Sequence, residues 1–327
     1  MREQENKMEF HSPLGELMST FIREKQACGY RYDVGLHALR RLDNFLCKSG
    51  LHAIALPREV IERWTAKRDH EQPGTQKVRI TIVRQFALFV RRQGFDAYVP
   101  HTRQQSVTNM DFTPYVFQRE EVKNLLDAVD HLLPDRRSPM RHLIMPEVFR
   151  LLYCCGMRIG EVLRLSIADV DLDAGILTIR NAKFNKDRLL PLPKSMTARL
   201  QQYAVVMGEP APEAMFFPAP DNGPYSAVTV YAVFRHLLRE CGIPHQGRGK
   251  GPRLHELRHA FAVHNLERWY RQGENLDAKL PLLAAYLGHQ SLAGTQRYLR
   301  LTPEIFPDIR IRLENFLGHA IPRRRGK

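Results

Sequence analysis

The chain has 327 residues, room for two domains at the usual size of roughly 100–200 residues each. A hydrophobic share of 43% and a charged share of 26% exclude a mostly disordered chain. No run approaches the ~18 apolar residues of a membrane span, and the charged start Met1-Arg2-Glu3-Gln4 leads into no apolar signal core.

Lys plus Arg is 49 against 35 Asp plus Glu, a net of +14. That balance makes a polyanion the first partner to test, nucleic acid ahead of a membrane surface. The cysteines Cys28, Cys47, Cys154, Cys155 and Cys241 show no CxxC spacing. They predict free, mostly buried thiols in a reducing compartment, hence a cytoplasmic protein without a zinc knuckle.

The first hundred residues read as four helices. Leu14, Leu17, Met18, Phe21 and Ile22 follow helical spacing, and Leu36, Leu39, Leu42, Phe45 and Leu46 form a second apolar face. Val60, Ile61 and Trp64 predict a short third helix opened by Pro57. Val78, Ile82, Phe86, Phe89 and Val90 predict a fourth, with Arg79, Arg84, Arg91 and Arg92 interspersed. Such arginines read as a solvated face, with a DNA-contacting face as the rival.

Periodicity stops between Tyr98 and Pro114, in a polar stretch that reads as a linker. The expected division is a helical domain over 1–104, a linker over 105–116, a second domain over 117–320 and a basic tail over 321–327. The second domain opens with the apolar face Val122, Leu125, Leu126 and Val129. A helix through Val148, Leu151 and Leu152 should end near Gly156, and another should run through Ile159, Val162 and Leu163. Gly175–Arg180 and Arg188–Leu192 read as two strands around a turn at 181–186. Helices follow after Lys194, over about Ser226–Cys241, and from His255. The fold class is thus mainly α with a small β-sheet.

His255-Glu256-Leu257-Arg258-His259 fits the zinc-protease pattern HExxH. The extended pattern would want Gly at 262 and His at 265, where the chain has Ala262 and Asn265. Nothing marks Glu267 or Glu274 as the third ligand a zinc site needs. The same segment offers another reading, because His255 and Arg258 share a helix face and can meet one oxyanion. Elsewhere stand Gly156-Met157-Arg158-Ile159-Gly160-Glu161, Lys183 in the hairpin turn, Leu287-Gly288-His289, and Tyr298 nine residues later.

Taken together these motifs resemble the tyrosine recombinase family, also called phage integrases. The family pattern is an Arg in a G-x-R-x-x-E context, a hairpin Lys, H-x-L-R-H, L-G-H, and a Tyr nine residues after that last His. All five elements are present in order, over about residues 117–300. The one departure is at the hairpin, where Ala182 and Phe184 flank Lys183 in place of the frequent glycines, leaving Lys186 as the alternative lysine. The resemblance implies a helical core-binding domain followed by a mixed α/β catalytic domain. It implies Arg158, Lys183, His255, Arg258, His289 and Tyr298 as catalytic residues, with neither cofactor nor metal. Duplex DNA carrying specific recombination sites would be the partner, bound by a homotetramer, with a second recombinase as an optional companion.

The residue chemistry agrees. A phenol with a pKa of about 10 is ionised about one part in a thousand at neutral pH, so a Tyr nucleophile needs a positive field or a base. Arg158 and Arg258 can clamp non-bridging phosphate oxygens through planar, permanently charged forks. Lys183 can protonate the departing 5′ oxygen, His255 can help deprotonate the tyrosine, and His289 can hydrogen-bond the phosphate. Glu161 accepts only, and should orient an arginine or His255 from behind. His259 reads as helix packing, or as a donor supporting the site from outside it. Tyr153, Tyr270 and Tyr286 lack the distance from His289 and read as core or rim residues.

Taken singly, each residue has a plain structural role: a salt-bridge arginine, a solvated turn lysine, a helix-capping His, a packed Tyr. Their joint spacing is what argues for the site. The expected function is a site-specific recombinase, leaning toward a mobile element, that works through a 3′-phosphotyrosine. Its rivals are a type IB topoisomerase with the same chemistry, a non-catalytic DNA-binding accessory protein, and a zinc hydrolase. Ile305, Ile309, Leu313, Phe316 and Leu317 form an apolar face that could pack in cis or on a neighbouring protomer.

Overall fold

The computed structural model describes residues 9–30, 32–101, 114–182, 186–245, 247, 251–289, 292–296 and 298. The expected hairpin Lys183, the apolar face at 305–317 and the basic tail lie outside these residues. The chain divides into two compact units between Thr113 and Pro114.

The first unit holds α1 (Gly15–Ala27), α2 (Asp33–Lys48), α3 (Arg58–Thr65) and α4 (Pro73–Arg92). Their apolar stripes meet in one core containing Leu14, Met18, Phe21, Leu39, Leu42, Ile61, Trp64, Phe86 and Phe89. Burying a side chain of this size contributes about 1.5–3 kcal/mol, so the core, more than local helix propensity, fixes the bundle. Tyr98 and Val99 also pack on it, and the Tyr98 amide donates to the Leu56 carbonyl at 2.8 Å. The chain therefore stays attached to the first unit past the point where its periodicity ends.

On the fourth helix Arg91 and Arg92 are exposed, as a solvated face requires, and Arg79 departs from that reading. Val78 is exposed while Arg79 is buried. Arg79 pairs with Glu71 at 2.6 Å, and its guanidinium lies over the Trp64 ring. Arg84 donates to the Pro100 carbonyl, Arg91 to the Ala97 carbonyl, and Arg92 to Glu24. These arginines staple the unit's own chain. All five cysteines are free, as expected, but Cys28 and Cys47 are exposed rather than buried, and only Cys155 is fully buried.

The second unit begins with α5 (Arg119–Asp130) and α6 (Arg141–Cys154), followed by the one-turn α7 (Ile159–Val162). A three-stranded antiparallel sheet comes next: β1 (Val170–Asp171), β2 (Ile176–Ala182) and β3 (Lys186–Pro191), in that spatial order. The short β1 carries no alternation of its own and was not among the expected strands. Then come α8 (Lys194–Met207), α9 (Ala227–Glu240), α10 (His255–Arg271), α11 (Leu276–Leu287) and α12 (Leu292–Gln296). Ser226 caps α9 by accepting from the Thr229 amide, and Asn275 caps α11. Helix α10 is buried on most of its circumference, with Leu257, Arg258, Ala260, Ala262, Val263 and Leu266 all inside. A helix apolar over this much of its surface belongs inside a core. None of the described helices is long and apolar enough to cross a membrane.

Candidate active site

Three chain segments far apart in sequence converge at the N-terminal end of α10. The first is the turn after α6. Gly156 has φ +58, and a Cβ there would lie 2.5 Å from the Phe261 ring and 2.8 Å from Leu287. Only glycine fits such a position. The turn points the Gly156 carbonyl inward and delivers Arg158 to the start of α7. The second segment is α10 itself, carrying His255, Arg258 and His259. The third is the end of α11, where Gly288 caps the helix at φ +67 and His289 follows.

Arg258 joins all three. It is 1% exposed, and its terminal nitrogens donate to the carbonyls of Gly156 at 2.6 Å and Leu287 at 2.5 Å. Burial first, and then the like charge of Arg158, lower its pKa to about 10, which still leaves it cationic at neutral pH. A fixed positive charge with little water around it acts strongly on any nearby anion.

Arg158 is partly exposed and is held from behind by Glu161. Its Nη1 donates to Glu161 Oε1 at 2.7 Å, its backbone N–H donates to Oε2 at 3.0 Å, and its Nη2 lies 3.4 Å from the Gly288 carbonyl. Glu161 thus orients an arginine, one of the two roles expected for it. It also binds a residue that the motif reading passed over. Arg188 donates to both of its oxygens, at 3.0 and 2.9 Å. Burial raises the Glu161 carboxyl, but the hydrogen bonds from Arg188 and the Arg158 backbone, with the two guanidinium charges, outweigh it. The net result holds the group down at about 2. The signal for Arg188 was strand alternation, since it falls in phase with buried Leu190 and out of phase with exposed Leu189.

Both histidines beside the arginines are held neutral. His289 is brought down to about 4, by burial first and then by Arg258 and Arg158. Its Nδ1 shares a 2.7 Å hydrogen bond with Thr295 Oγ1, which commits that nitrogen to the protein and leaves Nε2 for an incoming group. Thr295 is fully buried and belongs to no recognised pattern. His255 is also brought down to about 4, by the packing around its ring and then by Arg258, Arg158 and Arg253. It nevertheless remains exposed at the surface.

Tyr298 lies beneath this cluster, 4% exposed, in a core with Val263, Leu266, Leu283 and Leu287. Its hydroxyl is 3.2 Å from His259 Nδ1, and its ring stacks toward His289 with centroids 6.1 Å apart. His259 was expected first as a packing residue. It packs against the His255 ring at 4.7 Å, and it also holds the tyrosine hydroxyl. Two rival tyrosines have other partners: Tyr153 shares a hydrogen bond with His264, and Tyr286 donates to the Pro191 carbonyl.

The zinc reading of this segment does not survive the geometry. Glu256, which would serve as its general base, is fully buried and bonded to Arg253, and His259 is turned to Tyr298. Among the described residues, no group of three or more His, Cys, Asp or Glu is placed to hold a metal ion.

The model of the phage integrase family matches residues 115–304. A relative from Sinorhizobium fredii (strain NBRC 101917 / NGR234), y4rB, named as an integrase/recombinase, is 32% identical over 78% of this chain and 83% of its own length. The tyrosine recombinase XerA of Pyrococcus furiosus is 30% identical over 63% of this chain and 65% of its own. Among solved structures, the Tn1549 transposon integrase in complex with transposon right end DNA is similar in fold. Its TM-score is 0.62 at 17% identity, covering 92% of this chain and 98% of that one. The XerH site-specific recombinase, bound to a palindromic difH substrate, gives 0.60 at 19%, covering 88% and 78%.

Proposed function

This chain belongs to the phage integrase family of tyrosine recombinases, and from that premise we propose that its site cuts and rejoins duplex DNA through a 3′-phosphotyrosyl intermediate. The enzyme is a site-specific recombinase; the assignment of each step to a residue is our own reading. What supports it is one observation: buried Arg258 hydrogen-bonds to the turn before Arg158 and to the helix end before His289. Three motifs separated by up to 131 positions (158 to 289) are thereby tied together around two guanidinium charges.

In this reading Arg158 and Arg258 hold the non-bridging oxygens of the scissile phosphate, and His289 donates through Nε2. Tyr298 Oη attacks phosphorus and the bond to the 5′ oxygen breaks. The phenolic proton passes to the imidazole beside the hydroxyl, His259 Nδ1, with His255 packed against that ring in support, and Lys183 protonates the 5′ oxygen. One phosphodiester replaces another, so religation to a new strand needs no ATP. Guanidinium charge does the work that two metal ions do elsewhere, so cleavage proceeds in EDTA.

Strand exchange requires four cleavages, hence a tetramer on two sites. Binding rests largely on phosphate contacts and falls steeply with salt. We place the protein in the cytoplasm as the recombinase of a mobile element, in keeping with its likeness to y4rB and to the Tn1549 fold. The test is a nicked suicide duplex carrying a site selected from a random pool by the Tyr298→Phe protein. Wild type should form a covalent adduct on it in EDTA. Relaxation of a supercoiled plasmid lacking the site would instead mark a topoisomerase.

A further inference from the structure

Arg188 enters the site from the sheet. It pairs across the ladder with Ile179 and points to the same side as Leu190, toward α7. There it takes both oxygens of Glu161, the carboxylate that also holds Arg158. The three side chains form a shared clamp, with Glu161 at 3% side-chain exposure, Arg188 at 13% and Arg158 at 28%. Only Arg158 has a substantial open face.

The charge count gives this arrangement a consequence. A lone Arg158–Glu161 pair is neutral, and it would spend the arginine's charge on its own support. With Arg188 added, two guanidinium groups share one carboxylate and the trio carries one net positive charge. Arg188 thus balances Glu161, and Arg158 keeps its charge for an incoming phosphate. The two arginines share a second neighbour. Gly288 offers its carbonyl to Arg158, while a Cβ on Gly288 would lie 3.0–3.1 Å from the Arg188 guanidinium. The glycine of the L-G-H motif therefore meets two demands: a left-handed helix cap and room for Arg188.

We propose that Arg188 is a positioning residue for strand cleavage, acting on the scissile phosphate through Glu161 and Arg158 rather than by direct contact. The inference rests on the reading of Arg158 as a phosphate ligand. The partner of Arg188 favours an indirect role: both of its terminal nitrogens meet the Glu161 carboxylate, which offsets its charge, whereas those of Arg258 meet neutral carbonyls and leave its charge unpaired; the Arg188 Nε is buried without a hydrogen-bond partner. A buried, unpaired N–H is costly, and it is tolerated here where the fork is fitted to one carboxylate.

The experiment is single-turnover cleavage of the selected suicide duplex by wild type, Arg188→Ala, Glu161→Gln and the double variant. Arg188→Ala should slow adduct formation by about 30-fold or more, while in the Glu161→Gln background the same change should cost less than about threefold. An equal loss in both backgrounds would overturn the inference, because Arg188 would then act without Glu161. A second readout removes the charge from the substrate. On a duplex with a methylphosphonate at the scissile position, the Arg188→Ala deficit should shrink toward unity, since no anion is left to hold. A deficit of the same size on both substrates would mark Arg188 as merely structural and sink the proposal. If Arg188→Ala fails to fold, Arg188→Gln, which keeps a hydrogen-bonding head without charge, takes its place in both measurements. Wild-type adduct on the unmodified duplex is the control. Its absence would defeat the reading of the site as a whole, whereas its presence with a fully active Arg188→Ala defeats this inference alone.

Discussion

His259 Nδ1 and the Tyr298 hydroxyl are 3.2 Å apart, so the residue that completes the H-x-L-R-H pattern holds the proposed nucleophile from inside the protein. In the tautomer protonated at Nε2, Nδ1 accepts from the phenol and orients its oxygen. Replacing His259 with Phe, which keeps the ring and removes the acceptor, should slow adduct formation by roughly 10–100-fold. DNA binding by gel shift should be unchanged. An unaltered cleavage rate would show that the contact only packs.

Arg258 combines a structural and an electrostatic task. Arg258→Ala leaves the carbonyls of Gly156 and Leu287 without their partner and opens a cavity at the end of α10. A loss of about 3–5 kcal/mol in urea unfolding is expected, together with loss of cleavage. Arg258→Lys retains the charge but cannot span both carbonyls, so it should recover part of the stability and little of the activity. Full activity in the lysine variant would remove the fork geometry from the account.

Glu161 makes the site sensitive to acid. Its carboxyl sits at about 2 in the folded protein against an ordinary value of 4.5, so the folded state binds fewer protons there than the unfolded chain does. That contribution to stability is complete above pH 4.5 and is lost as the pH falls toward 2. Glu161→Gln should therefore lower the Tm clearly at pH 7, and the gap to wild type should narrow as the pH is taken from 5 toward 2. A gap independent of pH would mean that the carboxylate charge is not what the arginines recognise.

Gly156 sits in a tight left-handed turn that leaves no room for a side chain. Gly156→Ala places a methyl against Phe261 and Leu287 at a positive φ. Thermal unfolding should show a marked drop in Tm, and cleavage should fall with it because Arg158 and the Arg258 acceptor move together. A wild-type Tm would show that the turn relaxes without cost.

Where the chain carried its own periodicity, it could be read. The stripes on α1, α2 and α3 follow from spacing, and so do both ends of α9, with Ser226 as its cap, and the start of α10 at His255. Arg158, Arg258 and His289 could be picked out because their neighbours follow a recognisable pattern, and the fold brings those three segments together. What the sequence hid depends on contacts between distant positions. Arg79 counts as polar in any periodicity, and becomes a core residue only because Glu71 and Trp64 close over it. Arg188 and Thr295 stand outside every motif, and their partners Glu161 and His289 lie on other elements. The two-residue β1 is held by its pairing with β2, which local pattern cannot show.

The central claim is that Tyr298 becomes covalently joined to DNA. The direct measurement is a denaturing gel of the selected, nicked duplex incubated in EDTA with wild type or Tyr298→Phe, followed by peptide mapping of the adduct. The account predicts a wild-type adduct carried on Tyr298 and none with Tyr298→Phe, at equal DNA binding. An adduct that persists in Tyr298→Phe, or one mapped to Tyr153, Tyr270 or Tyr286, would contradict it.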